Sequence, residues 1–277
     1  MSGAPTITTE IKPLKGWASL DLRELWEYRE LLFFMTFREI KGRYRQMALG
    51  PMWVVIKPFL TMVVMSLVFG KLAKLPSDGL PYPLFAFAAL LPWQLFAVSV
   101  SKSATSLVAN MSVISKVYFP RLTIPLSAAL TGLVDFCMSL VVLAGMMVWY
   151  GIQPTWNILY LPAFLLLAVL TALGVGTCLA TVAVRFRDVG YAVDHVLQIA
   201  MYLTPVVYPT SLVPERWRFL YQLNPMVAAI DGCRWALLNT RQAPELASVL
   251  AGLITLALLF FGVYYFRRTE RTIVDLL

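Results

Sequence analysis

A chain of 277 residues that is 59% hydrophobic and only 14% charged is not building a water-soluble core, because soluble domains carry charge on about a quarter of their residues. The net charge of +8 does not point to nucleic acid: most of the basic residues flank apolar stretches, where the positive-inside rule and an anionic inner leaflet account for them. Cys137, Cys178 and Cys233 lack CxxC spacing, so neither a disulfide framework nor a metal site is expected.

Residues Met1 to Pro13 show no apolar core followed by a small-residue cleavage site, and residues 1–20 are expected to be a cytoplasmic tail. Residues 21–46 come next as an amphipathic helix. Asp21 and Glu24 have capping-box spacing, and Leu22, Leu25, Trp26, Leu32, Phe33, Phe37, Ile40 and Tyr44 recur at helical intervals. Such a helix lies in the membrane interface, with Arg38, Lys41, Arg43 and Arg45 near lipid phosphates, or it packs on a partner protein; amphipathicity alone does not separate the two.

Six apolar spans follow: Met52 to Phe69, Pro83 to Val100, Ile124 to Tyr150, Leu159 to Val184, Tyr191 to Tyr208 and Ser248 to Phe266. Each is near the ~20 residues that cross a bilayer. The expected fold is therefore an all-α integral membrane protein of six transmembrane helices over residues 52–266, with both ends on one side and residues 267–277 as a second tail. Putting the ends in the cytoplasm leaves most of the 23 basic residues inside. Between the last two spans, residues 210–244 are too polar to cross yet rich in Trp, Phe, Tyr and Leu. Asn224-Pro225 divides them into two short helices, since the residue before proline is pushed away from helix. These either dip back into the membrane and line an outer mouth, or lie on the lipid as an amphipathic hairpin.

Chemistry-bearing residues are sparse. Acid–base catalysis and metal binding both need convergent groups, and the chain offers Asp135 within a span, Asp194 and His195 near the start of the fifth, and Asp231 in the outer hairpin. No catalytic residue, metal or cofactor is expected. Asp135 reads as a structural or channel-facing contact, with a proton-coupling role as the alternative; Lys57 is a possible partner for it or a snorkelling interfacial residue. His195 reads as an interfacial helix residue. No Walker motif is present, so any ATP is hydrolysed by another chain, and transport powered by a partner is the expected activity. Most aromatic side chains fit the two interfacial belts; a minority facing a pore would give flat, polar-tipped surfaces to an amphipathic polymer. Three elements face the cytoplasm: the interface helix, the loop Lys102 to Arg121, and the turn Arg185 to Gly190, whose arginines either fix topology or dock a partner.

Several local sequences resemble the permease subunits of polysaccharide ABC exporters, the type-2 ABC permeases that export O-antigen, capsule and teichoic acid. They are Arg38-Glu39-Ile40-Lys41 with Leu49-Gly50-Pro51-Met52-Trp53, Pro81-Tyr82-Pro83-Leu84-Phe85 with Leu90-Leu91-Pro92-Trp93, Lys116-Val117-Tyr118-Phe119-Pro120-Arg121 with Leu133-Val134-Asp135-Phe136, Arg185-Phe186-Arg187-Asp188, and Leu223-Asn224-Pro225-Met226. The resemblance implies a homodimer with a central channel, paired with two copies of a separate ATPase subunit that holds ATP and magnesium. It implies a lipid-linked glycan as substrate and the bacterial inner membrane as location. Arg38, Lys41, Arg43, Asn110, Lys116, Phe119, Arg121, Arg185, Phe186, Arg187 and Asp188 would then couple to the ATPase. Tyr82, Trp93, Phe96, Asp135, Trp217, Tyr221 and Trp235 would line the translocation path or outer gate. Three rivals stand beside this reading: a type-2 exporter of a drug or lipid, an ion-coupled flippase, and a membrane glycosyltransferase.

Overall fold

The computed structural model describes residues 26–45, 50, 52–117, 119–186, 188–240 and 246–275. Among them every regular element is helical. In chain order these are α1 (Arg29–Arg45), α2 (Met52–Met65, continuing as a π-helix over Ser66–Leu72), α3 (Tyr82–Ala109), a single turn α4 (Met111–Ile114), and α5 (Thr123–Trp149). Then come α6 (Leu161–Arg185, led in by a 3-10 turn at Trp156–Tyr160), α7 (Val189–Tyr202), α8 (Glu215–Gln222), α9 (Pro225–Leu238) and α10 (Leu246–Asp275). Among the described residues five stretches are long and apolar enough to cross a membrane: Met52–Leu72, Tyr82–Ala109, Thr123–Trp149, Trp156–Arg185 and Leu246–Glu270.

The expected span Tyr191 to Tyr208 is not one helix. Helix α7 has 14 residues, about 21 Å at 1.5 Å per residue, and the chain then turns through 203–208. Pro205 is the physical reason, because it lacks an N–H and disfavours helix at Thr204 before it. Residues 210–238 do divide at Asn224-Pro225: the Asn224 side chain accepts from the Met226 amide at 3.0 Å and Pro225 opens α9. Helix α10 runs past Phe266 to Asp275 without a break. Residues 21–25 and 46 of the expected interface helix, the Asp21 cap included, lie outside the described residues.

Helix α3 is the axis of the bundle. Its residues Leu84 to Trp93 are buried on every side, and α2, α5, α6, α7 and α9 all pack on it. Small side chains let the backbones approach, the usual solution where lipid supplies no hydrophobic drive between helices. Ser99 and Ser103 of α3 donate to the Ala129 and Pro125 carbonyls of α5, each at 2.8 Å. A Cβ at Gly176 on α6 would sit 2.6 Å from the Ser103 Cβ. Helices α6 and α10 meet at Gly174 and Gly262, where a Cβ on Gly262 would overlap the Gly174 carbonyl, and one turn away Thr171 and Thr255 share a hydrogen bond of 3.1 Å.

Helix α1 lies against α5. The expected single apolar face is split: Met35 is buried, with Tyr28 and Leu31 packed in the same cluster, whereas Phe33, Phe34 and Phe37 stay exposed.

Candidate functional site

Two polar assemblies flank α3. The first joins α1 to the bundle, with its ion pair beside the middle of α3, Leu91 to Val98. Arg43 Nη1 donates to Asp135 Oδ2 at 2.6 Å and Nη2 to Thr131 Oγ1 at 3.2 Å. These side chains keep 19% and 16% exposure for Arg43 and Asp135, so the pair is largely shielded and its charges interact more strongly than on an open surface. Asp135 is thus held by α1, and its partner is Arg43, not the Lys57 expected as a possible partner. One helical turn and more earlier, Arg38 Nη2 donates to Asn110 Oδ1 at 2.6 Å, and the Asn110 amide donates to the Ser106 carbonyl at 2.9 Å.

The loop after α4 is anchored by Phe119, buried among Leu107, Ile114, Leu122, Ala180 and Phe266. Arg121 donates to the Glu270 carbonyl of α10 at 2.7 Å and approaches its carboxylate at 3.9 Å. Lys41 and Lys116 are exposed, as are Arg185, Phe186 and Asp188 in the α6–α7 turn, where the Arg185 guanidinium lies 5.5 Å from the Phe186 ring centroid. Arg187 lies outside the described residues. Of the residues expected to act together on the cytoplasmic side, the structure brings Arg38 to Asn110 and Phe119 into the core beneath the loop; it leaves Lys41, Lys116 and the turn as separate exposed groups.

A cavity of about 350 Å³ opens beside the Arg43–Asp135 pair, walled by α2, α3 and α5, with Trp53, Lys57, Gln94, Lys102 and Ser139 on its lining.

The second assembly centres on Arg234, which the sequence shows only as one charge among several in residues 210–244. It is 2% exposed. Its Nε donates to the Phe85 carbonyl at 3.3 Å, Nη2 to the Val206 carbonyl at 3.2 Å and Nη1 to Asp231 at 3.5 Å, while its Cζ lies 3.6 Å from the Phe85 ring centroid. Tyr82 donates to the Val207 carbonyl at 2.7 Å, and Thr210 donates to Asp231. Helix α9 and the 203–210 connection are thereby fastened to the first turns of α3. Burial lowers the Arg234 guanidinium to about 10, so it keeps its proton at neutral pH. Burial also pushes the Asp231 carboxyl up to about 6 against the opposing pull of Arg234 and Thr210. About a quarter of the Asp231 side chain still meets solvent, which favours the lower side of that value. The available sequence signal was one arginine at i+3 from an aspartate within an otherwise apolar helix.

The aromatic residues separate into two groups. Trp93 and Phe96 are buried in the core, their rings 5.4 Å apart. Trp217 is 53% exposed, Tyr221 donates to Tyr208 at 3.3 Å, and Trp235 packs on Tyr160 at 5.5 Å. Burial and the Tyr208 hydrogen bond push the Tyr221 hydroxyl far above its ordinary range. Among the described residues no group of three His, Cys, Asp or Glu stands close enough to hold a metal ion.

Residues 30–238, which take in both polar assemblies, match the ABC-2 type transporter family, and the chain belongs to it. The relatives are permeases. Over 233 residues, 83% of this chain and 88% of the relative, it is 32% identical to the O-antigen export system permease protein RfbA of Myxococcus xanthus. A protein of the same description from Klebsiella pneumoniae is 28% identical over 222 residues, 80% of this chain and 85% of its own. The polysialic acid transport protein KpsM of Escherichia coli is 21% identical over 243 residues, covering 87% and 93%.

Proposed function

We propose that this chain is the channel-forming permease subunit of an ATP-driven exporter that carries lipid-linked polysaccharide across the bacterial inner membrane. The observation that carries the reading is the end-to-end match, over 83% of the chain, to a permease of O-antigen export. The chain forms a homodimer and works with two copies of a separate ATPase, on which ATP and magnesium reside; it performs no hydrolysis of its own.

Six crossings, with both termini cytoplasmic, are part of this proposal. Gly190 lies beside Thr105 near one end of α3, while the Val207 carbonyl accepts from Tyr82 at the other. Residues 82 to 105 of a helix cover roughly 35 Å at 1.5 Å per residue, so the segment from 190 to 207 runs nearly the length of α3 and serves as the fifth crossing despite its broken helix.

The homodimer draws support from where polar groups remain uncovered. Helix α7 leaves Tyr191, Asp194, His195, Gln198 and Tyr202 exposed, and polar side chains facing hydrocarbon are expensive. A second copy across a hydrated path removes that cost. The exposed apolar face of α2, including Trp53, Phe59, Leu60 and Val64, extends the same surface. Helix α1, the 110–121 loop and the 185–188 turn form the ATPase-facing side, and α8 and α9 form a re-entrant outer gate.

The deciding experiment is mild-detergent purification of the tagged chain from its native cell, with mass spectrometry and an ATPase assay, alongside surface-glycan staining of a deletion strain. Co-recovery of a Walker-type ATPase in equal amount, with glycan synthesised but retained inside, is the expected result. A partner ATPase with normal surface glycan would move the substrate to a drug or lipid. Transport by the chain alone, lost on collapse of the membrane potential, would overturn the ATP-driven reading.

A further inference from the structure

The cavity beside α3 holds more positive charge than its single carboxylate answers. Arg43 is already committed, to Asp135 at 2.6 Å and to Thr131 at 3.2 Å. Lys57 of α2 and Lys102 of α3 also line the space, and among the described residues neither ammonium has a hydrogen bond or ion-pair partner. Gln94 and Ser139 add neutral polar groups, and much of the remaining wall is apolar, from Leu91, Leu95 and Phe136.

Two ammonium groups on separate helices, both exposed, line one partly apolar space and together offer an anion two cationic partners. Lysine binds oxyanions as a compact point charge with rotatable donors, which suits phosphate without demanding a planar partner. The apolar wall accommodates hydrocarbon. A ligand meeting both conditions is an amphiphile with a phosphorylated head.

We propose that this cavity binds the phosphate or diphosphate head of an inner-leaflet lipid, with Lys57 and Lys102 as its ligands and Gln94 and Ser139 as neutral donors. The two lysines reach the head from different helices, so occupancy bridges α2 to α3. It does so next to the Arg43–Asp135 pair, which carries the state of the cavity to α1. The source of the phosphate is either the diphosphate linking a glycan to its lipid carrier or the headgroup of bulk anionic phospholipid; the first rests on the exporter reading above, the second does not.

The test uses the full-length chain with whatever co-purifies, in detergent micelles, with lipid binding read by native mass spectrometry. Polyprenyl diphosphate, phosphatidylglycerol and phosphatidylcholine are titrated onto wild type, Lys57→Gln, Lys102→Gln, the double variant, and Lys71→Gln, an exposed lysine outside the cavity. Polyprenyl diphosphate should bind in preference to phosphatidylcholine, with each single variant weakening it about 10-fold, equal to about 1.4 kcal/mol, and the double variant about 100-fold if the sites act independently. Lys71→Gln should match wild type. Equal losses for phosphatidylglycerol, without preference for the diphosphate, support the site and assign it to bulk lipid. Wild-type affinity in the double variant, eluting and melting as wild type does, overturns the proposal; if the double variant misfolds, the singles decide in the same way. The ATPase is scored in the same samples. Undiminished binding in the variants with the ATPase present fails the site alone, and absence of any ATPase from wild type fails the exporter reading whatever the lipids do.

Discussion

Breaking the Arg43–Asp135 pair should loosen α1 from the bundle by a predictable amount. Unit charges about 4 Å apart interact by about 4 kcal/mol at an effective dielectric near 20. Fully exposed pairs return roughly 0–1 kcal/mol of this, whereas removing one partner of a buried pair costs roughly 3–5 kcal/mol. With 19% and 16% exposure, this pair falls between, at about 2 kcal/mol. Asp135→Asn keeps the shape and removes the charge, and Arg43→Gln does the converse. A double-mutant cycle on the melting of the purified complex should therefore show a coupling energy of about 2 kcal/mol. If α1 passes the stroke of an ATPase to the channel wall, the same loss corresponds to about 30-fold in coupled transport, with ATP hydrolysis itself little changed. A coupling energy under about 0.5 kcal/mol would refute the assignment of this pair as the fastening of α1. Loss of hydrolysis together with transport would refute its role as a transmission element.

Other perturbations are expected to act more locally. Gly262→Ala should destabilise by at least about 1–3 kcal/mol, because the new Cβ overlaps the Gly174 carbonyl, a backbone atom that cannot rotate away; Gly252→Ala on the same helix meets nothing within 4 Å and should be neutral in melting. Asp231 has a folded pKa raised from 3.8 to about 6, so its protonated form contributes stability that is present below 3.8 and is lost as pH rises through 6. Wild type should gain about 1–2 kcal/mol between pH 7 and pH 4 from this group, after allowance for its partial exposure, and an unchanged pH dependence of melting in Asp231→Asn would remove the assignment. Charge reversal at Arg185 and Arg187 together should abolish export while leaving insertion and ATPase activity near normal; preserved export would take the turn out of the coupling path. Trp217→Ala with Tyr221→Ala should change glycan passage more than assembly, read as surface glycan against yield of the complex.

Helix existence was legible in the sequence wherever apolar length alone decided the matter. Met52, Pro83, Ile124, Leu159 and Ser248 each open an expected span that falls on a helix starting within two residues of it. The break within the fifth expected span was not legible from hydropathy, because a hydropathy window weighs Thr204-Pro205 as nearly neutral, whereas the missing N–H of proline decides the backbone. Asn224-Pro225 was legible for the same reason in reverse. Tertiary partners were not: nothing in spacing tells Asp135 that Arg43, 92 residues earlier, lies nearer in the required direction than Lys57. Arg234 was missed because a hairpin charge is ordinarily solvated, and its burial depends on Phe85 and on the Val206 carbonyl, both far away in sequence. Trp93 and Phe96 illustrate the remaining limit, since composition finds aromatic rings but cannot say that these two pack on each other inside the core.

That burial constrains where a polymer could pass. Helix α3 is covered by its own chain from Leu84 to Trp93, so a path following it inside one subunit would have to displace those residues, among the best-packed present. Bare apolar faces remain on several helices, those of α2, α7 and α10 among them, and α7 sets exposed aromatic rings, Tyr191 and Tyr202, beside exposed Asp194, His195 and Gln198. The fastening through Arg234 holds the segment after α7 to α3, and the fastening through Arg43 holds α1 to α5. Both polar assemblies therefore bind peripheral elements to the core that α3 forms, and neither draws on the exposed faces of α2 or α7. If a second copy of the chain supplies the opposite wall, as proposed above, a conduit between two such faces opens and closes by rotation of whole subunits, because neither fastening then has to break in each cycle.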